Sequence, residues 1–183
     1  MPYLLRKFKL RQQNFNMKKF CFLAAISLFA ILNLSAQKHS LGFRTGSGQV
    51  SGAELSYQYK LNDLNRIQLD FGLRSRKGVD AFKVGGLYQW VQDLPQLEEG
   101  FNWHYGFGAG LGFISFDQGL FPSENYGTTL FSLDGMVGLE YSFKELADIP
   151  LQAGIDVKPS LQFFSGYFDL IGVDLALSLR WQF

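Results

Sequence analysis

The chain ends in an unbroken alternation. Leu175, Leu177, Leu179, Trp181 and Phe183 are apolar, and Asp174, Ser178, Arg180 and Gln182 stand on the opposite parity. Period-two alternation describes a strand with one apolar face and one polar face. A strand of a soluble sandwich can carry the same pattern, but free ends fray, and such a strand seldom runs to a terminal aromatic residue. Lipid on one side and a polar interior on the other account for both the alternation and its extent.

Composition agrees. The 183 residues balance 17 basic against 16 acidic side chains, which gives no reason to expect nucleic acid as a partner. The 20 glycines and 19 phenylalanines exceed what a helical domain would use. Mean hydropathy near zero argues against a bundle of membrane helices and suits strands whose two faces cancel.

Lys18 and Lys19 precede an apolar run from Phe20 to Leu32, followed by Asn33, Leu34, Ser35 and Ala36. A basic start, an apolar core and a small-residue end describe a secretory signal peptide. The run is too short for a membrane helix of about 20 residues. The expected organisation is an upstream extension or long leader over 1–16, a signal peptide over 17–36 starting at Met17, and a barrel domain over 37–183. Cys21, the only cysteine, falls in the leader, so the mature chain is expected to lack thiol and disulfide chemistry.

From His39 onward the chain divides into eight candidate strands: Ser40 to Gly46, Ala53 to Leu61, Arg66 to Arg74, Ala81 to Val91, a fifth from Phe101 to Phe113, a sixth around Phe131 to Phe143, Leu151 to Phe163 and Leu170 to Phe183. The fifth sets Phe101, Trp103, Tyr105, Phe107, Ala109, Leu111 and Phe113 against Asn102, His104 and the glycines 106, 108, 110 and 112. An even number of antiparallel hairpins permits closure without exposed edges. The predicted fold is all-β: an eight-stranded, antiparallel, up-and-down transmembrane β-barrel preceded by a cleaved signal peptide.

If the eighth strand finishes in the periplasm, the connections Asn62 to Asn65, Gln92 to Gly100 and Lys144 to Pro150 are periplasmic. Ser47 to Gly52, Ser75 to Asp80, Phe116 to Thr128 and Phe164 to Asp169 become outer loops, only the third of them long. Trp90, Phe101, Trp103, Tyr141, Phe143, Trp181 and Phe183 then fall at the periplasmic ends of strands, and Phe43, Phe82, Phe113, Phe131, Phe163 and Phe168 at the outer ends. Aromatic rings favour bilayer interfaces because they combine an apolar body with tolerance of polar headgroups.

Charges sort as cleanly. Arg44, Lys60, Arg66, Arg74, Lys83, Lys158 and Arg180, with Glu54, Asp70, Asp134, Glu140, Asp156 and Asp174, share the inward parity. Near-balanced charge in a confined lumen predicts paired networks. Pro159 stands on the apolar face and cannot donate to a ladder, so a bulge or an early end to regular pairing is expected there.

In the terminal run Leu175-x-Leu177-x-Leu179-x-Trp181-x-Phe183 and in Tyr57-Gln58-Tyr59-Lys60-Leu61-Asn62-Asp63, the chain resembles the small OmpA/OmpX-like outer-membrane barrels, especially porin-like single-domain versions, over about Lys38 to Phe183. The resemblance implies a bacterial outer-membrane location, contact with lipid and lipopolysaccharide, and an assembly signal at Leu175, Leu177, Leu179, Trp181 and Phe183 read by the barrel assembly machinery. It implies no single activity, since members include structural proteins, adhesins, narrow pores and a few lipid-modifying enzymes.

Candidate chemistry is sparse. If Phe101 pairs near Phe143, His104 falls opposite Glu140, the start of a general-base arrangement, with no serine placed as a nucleophile. Partnering of inward polar groups is the simpler role for this pair. His39 and Ser40 are neighbours at the start of the mature chain, in what reads as a free tail, and would point to opposite faces on a strand. The glycine row reads as room for polar side chains such as Asp134 with Arg74 or Lys83, and as relief for curvature. No catalytic, cofactor or metal motif stands out. Leu120, Phe121 and Tyr126 in the long outer loop are candidates for binding a surface protein or lipopolysaccharide. The sequence thus predicts a non-enzymatic structural or surface-binding barrel with a lumen filled by polar side chains. A lipid-modifying enzyme and a narrow pore are the alternatives.

Overall fold

A computed structural model of the protein describes residues 38–47, 52–76, 79–116, 127–164 and 167–183. They form β1 (His39–Gly46), β2 (Ala53–Lys60), β3 (Asn65–Arg76), β4 (Val79–Asp93), β5 (Phe101–Phe116), β6 (Gly127–Ser142), β7 (Leu151–Phe164) and β8 (Tyr167–Gln182). One helical turn, α1 (Lys144–Ala147), lies between β6 and β7. Each strand pairs antiparallel with its sequence neighbours, and β1 pairs with β8 from Ser40↔Gln182 to Gly46↔Ala176, which closes the barrel. Closure gives every strand two partners, so no edge is left to template further pairing.

Alternation in the sequence becomes inside and outside. On β8, Leu177 is 60% exposed and Arg180, inward, is 1% exposed. The same inversion of a soluble core runs around the barrel. Phe43, Leu69, Phe107, Leu111, Val137, Ile155 and Leu175 face out, while Gln58, Gln68, Asp70, Gln89, Ser132 and Asp174 are buried within. A water-soluble barrel has no use for that arrangement.

Several expectations change in detail. Toward the loop end, β3 and β4 continue to Arg76 and from Val79, and β7 and β8 to Phe164 and from Tyr167. Much of what was expected as loop over Ser75 to Asp80 and Phe164 to Asp169 is therefore paired strand, out to Arg76↔Val79 and Phe164↔Tyr167. Phe82 pairs with Phe113, each three residues inside its strand end, and Phe131, four residues inside β6, pairs with Phe163, the last residue but one of β7. The outer aromatic positions thus mark a level below the rim. At the opposite end Trp90 stacks on Tyr105 at 5.3 Å between ring centroids, and Phe101 meets Tyr141 at 4.7 Å. The side chain of Phe168 and the leader expected over 1–36 fall outside what is described.

Pro159 causes no bulge, contrary to expectation. It pairs in register with Val173 of β8, and the strand runs on to Phe164. Its missing donor shows only toward β6, where the ladder skips from Asp134↔Ser160 to Val137↔Val157 without changing register. Gly135 lies opposite, and a Cβ there would stand 3.3 Å from the proline ring. The bare glycine lets the strands pass with bonds missing and no slip. The irregularity of this region lies instead between Gln162 and Phe163.

Candidate functional site

The chemistry of the molecule is concentrated in the lumen. Arg44 on β1 is its first hub. Its Nη1 donates to Glu54 on β2 at 2.7 Å and to Asp174 on β8 at 2.8 Å, and its Nη2 donates to Asp156 on β7 at 2.6 Å. Lys158 stands 3.4 Å from Glu54 and 3.8 Å from Asp70, and Asp70 also accepts from Ser56 Oγ at 2.7 Å. One planar guanidinium thus joins four strands, using the fork geometry that lysine lacks.

Glu140 on β6 is the second hub. Its Oε2 accepts from Arg66 at 2.5 Å and Gln152 at 2.6 Å; its Oε1 accepts from Arg180 at 3.1 Å and Gln58 at 3.2 Å. Glutamines extend this network: Gln58 donates to Gln68 at 2.9 Å, and Gln89 donates to Gln68 at 3.1 Å. A carboxylate accepting four hydrogen bonds while facing two guanidiniums is satisfied as an ion and has no lone pair free for proton abstraction.

The expected pairing of His104 opposite Glu140 is corrected by two residues. Phe101 pairs with Tyr141, so Asn102 lies opposite Glu140 and His104 opposite Gly138. A two-residue shift preserves parity, and His104 still faces inward. Its Nδ1 is 3.8 Å from Glu140 Oε2, beyond hydrogen-bond range, and has no hydrogen-bond partner among the described residues. Gly138 makes the fit possible, because a Cβ there would stand 2.6 Å from the imidazole Cε1.

The glycine row serves two ends. A Cβ at Gly110 would stand 2.6 Å from Lys83 Cε and 2.7 Å from Ser132 Oγ. Lys83 donates to Asp134 at 3.1 Å and Ser132 to the same carboxylate at 3.1 Å, so this glycine makes room for an ion pair. At Gly108 a Cβ would collide with the carbonyl of Gly86, so there the need is close approach of backbones. Lys83, rather than Arg74, is the partner of Asp134.

Of the charges expected inside, Lys60 and Arg74 are the two that are not buried; both sit toward strand ends. His39 and Ser40 belong to β1 rather than to a free tail: His39 Nδ1 meets the Tyr57 hydroxyl at 2.7 Å, and Ser40 donates inward to Gln58 at 3.2 Å. They face opposite ways. Leu120, Phe121 and Tyr126 lie outside the described residues, between the ends of β5 and β6. Leu175, Leu177, Leu179 and Trp181 form an outward stripe, and Phe183 follows the last strand residue.

Two features were not singled out in the sequence. The first is the dominance of Arg44, which shares its parity with many other charges. The second is an apolar cluster of Ala81, Ile114 and Leu130 inside the barrel toward its loop end. Inward parity was the available signal for both, and parity alone does not say which inward groups converge.

A closed eight-stranded barrel that is polar within and apolar without has the fold of the small outer-membrane β-barrels, as the OmpA/OmpX-like resemblance implied. The N-terminal β-barrel domain of Pseudomonas aeruginosa OprF is similar at TM-score 0.63 and 14% identity, over 81% of this chain and 100% of that one. Neisserial surface protein A (NspA) is similar at TM-score 0.52 and 14% identity, over 79% of this chain and 94% of that one. At such identities the likeness is one of fold. No family model and no curated protein matches the sequence.

Proposed function

We propose that the protein is a bacterial outer-membrane barrel with a non-enzymatic structural or surface-binding role, its lumen closed to solutes by its own side chains. The supporting observation is the convergence of strands on two buried hubs: Arg44 engages β2, β7 and β8, and Glu140 engages β2, β3, β7 and β8. An eight-stranded barrel has an interior about as wide as its side chains, and here those side chains are bonded to each other across it. On this reading lipid and lipopolysaccharide cover the outward apolar face, and a surface protein is met through Leu120, Phe121 and Tyr126.

The lipid-modifying alternative draws no support from the His104–Glu140 geometry, since Glu140 is fully engaged and the two groups share no hydrogen bond. The narrow-pore alternative is the one a recording decides. Monomeric protein in planar bilayers is expected to give no steady conductance, and stable large openings would overturn the closed-lumen reading. A separate expectation concerns assembly. Deleting Phe183 should leave protease-sensitive, unassembled chain in the periplasm, and normal assembly after the deletion would remove the terminal run from the account.

A further inference from the structure

The outward wall of the barrel is uneven. On β4 and β5 it carries a ridge of rings: Tyr88 meets Trp90 at 5.0 Å between centroids, and Tyr105 stacks on Trp90 at 5.3 Å and on Trp103 at 5.2 Å. Across the β5–β6 ladder the wall drops. Tyr105 pairs with Val137, and Phe107 pairs with Gly135, which has no side chain. Val137 in turn pairs with Val157 on β7, and Val157 with Leu175 on β8, where the wall rises again.

Between ridge and rise lies a groove of about 530 Å³, lined by Trp103, Val137, Leu139, Ile155, Val157 and Leu175, with Leu94 at the start of the β4–β5 connection beside it. That volume falls in the range of small-molecule sites, about 300–1,000 Å³. Gly138 and Asp156 also border the groove, but the Asp156 carboxylate is turned into the lumen, where it accepts from Arg44 at 2.6 Å. The groove thus offers a ligand no charged group. Its aromatic bank is held by the stacking of Trp90, Tyr105 and Trp103, so it is formed before anything enters. Through Leu175 it runs into the apolar stripe of β8. A protein segment laid along it would leave backbone N–H and C=O groups without partners, whereas a hydrocarbon chain has none to satisfy.

We propose that this groove is a binding site for one membrane phospholipid, held by an acyl chain laid against Trp103, Val137 and Val157. The inference rests on the reading that lipid covers the outward face, and adds that one lipid on that face is retained at a built site while the others exchange.

The test is native mass spectrometry of the full chain refolded into dioleoylphosphatidylcholine vesicles and then extracted into detergent. The dominant bound species is expected to be a barrel carrying a single phospholipid. Val137→Phe fills the groove from a half-exposed position and should retain about fivefold less lipid, because the acyl chain loses its contacts there. Val157→Phe is a second filling variant, should the first fail to fold. Val84→Phe, on the outward face of β4 and away from the groove, should keep the lipid. No retained phospholipid, equal retention in the filling variants, loss in Val84→Phe as well, or a lipid-free dimer would each overturn the proposal. Oxygen collision at a spin label on Leu69 of β3 tests the underlying reading separately: lipid contact there without a retained phospholipid removes the site and leaves that reading standing.

Discussion

Replacing Arg44 by methionine is expected to destabilise the folded barrel by about 3–5 kcal/mol, the cost of stripping a buried charge cluster of one partner. Methionine nearly fills the volume but leaves Glu54, Asp156 and Asp174 facing each other with far less compensation. Lys158 reaches Glu54 only at 3.4 Å and cannot replace three short contacts. Urea unfolding of protein refolded into lipid vesicles measures the difference directly. Lys158→Met should lose less than half as much, because Glu54 then keeps Arg44 at 2.7 Å. Equal losses in the two variants would mean that the lumen is not organised around the arginine.

The second large effect is expected on the opposite face. Phe107 projects from the middle of β5 and is 64% exposed. In a bilayer, Phe107→Arg should cost about 2–4 kcal/mol, the penalty for a basic side chain near the midplane of a barrel's lipid face. The same change at the surface of a water-soluble protein would be close to neutral. Vesicle-based unfolding against urea again supplies the number, and a neutral result would place water, not lipid, beside Phe107.

These two experiments probe the two faces of one strand pattern, and that pattern is legible in the sequence. Period-two alternation in β5 and β8 placed Phe107 and Leu177 outside and Arg180 inside because each strand has only two faces. Hairpin order followed from the turns. Register was harder. For β5 and β6, shifting the pairing by two residues leaves every side chain on its own face, so the sequence could not distinguish Glu140 opposite His104 from Gly138 opposite His104. In the observed register the imidazole packs over Gly138, where a Cβ would stand 2.6 Å from its Cε1. Pro159 was read as a break because its missing donor was visible and the accommodating Gly135 across the ladder was not.

The lumen shows the same boundary. Inward parity identified Arg44, Glu140, Asp134 and Lys83 as interior groups, and the near balance of charge called for pairing. Which of them became hubs depends on where eight tilted strands bring their side chains in three dimensions, and adjacent positions in that network lie far apart in the chain. Arg44 and Asp174 are an instance, joined at 2.8 Å through the closure of β1 on β8. The unpartnered Nδ1 of His104 was beyond sequence reasoning for a related reason. A missing partner is a property of the packing around a residue, not of the residue itself.

The central claim is that lipid surrounds the outward stripe. It is tested most directly by spin labels placed singly at Ile171, Val173, Leu175, Leu177 and Leu179 of β8, and at Leu97 in the β4–β5 connection, in a chain with Cys21 replaced. In vesicles, collision with oxygen should be greatest at the middle of β8 and fall toward its ends, while a water-soluble nickel chelate should reach Leu97 and fail to reach Leu175. A chelate that meets Leu175 as readily as Leu97 would contradict the account.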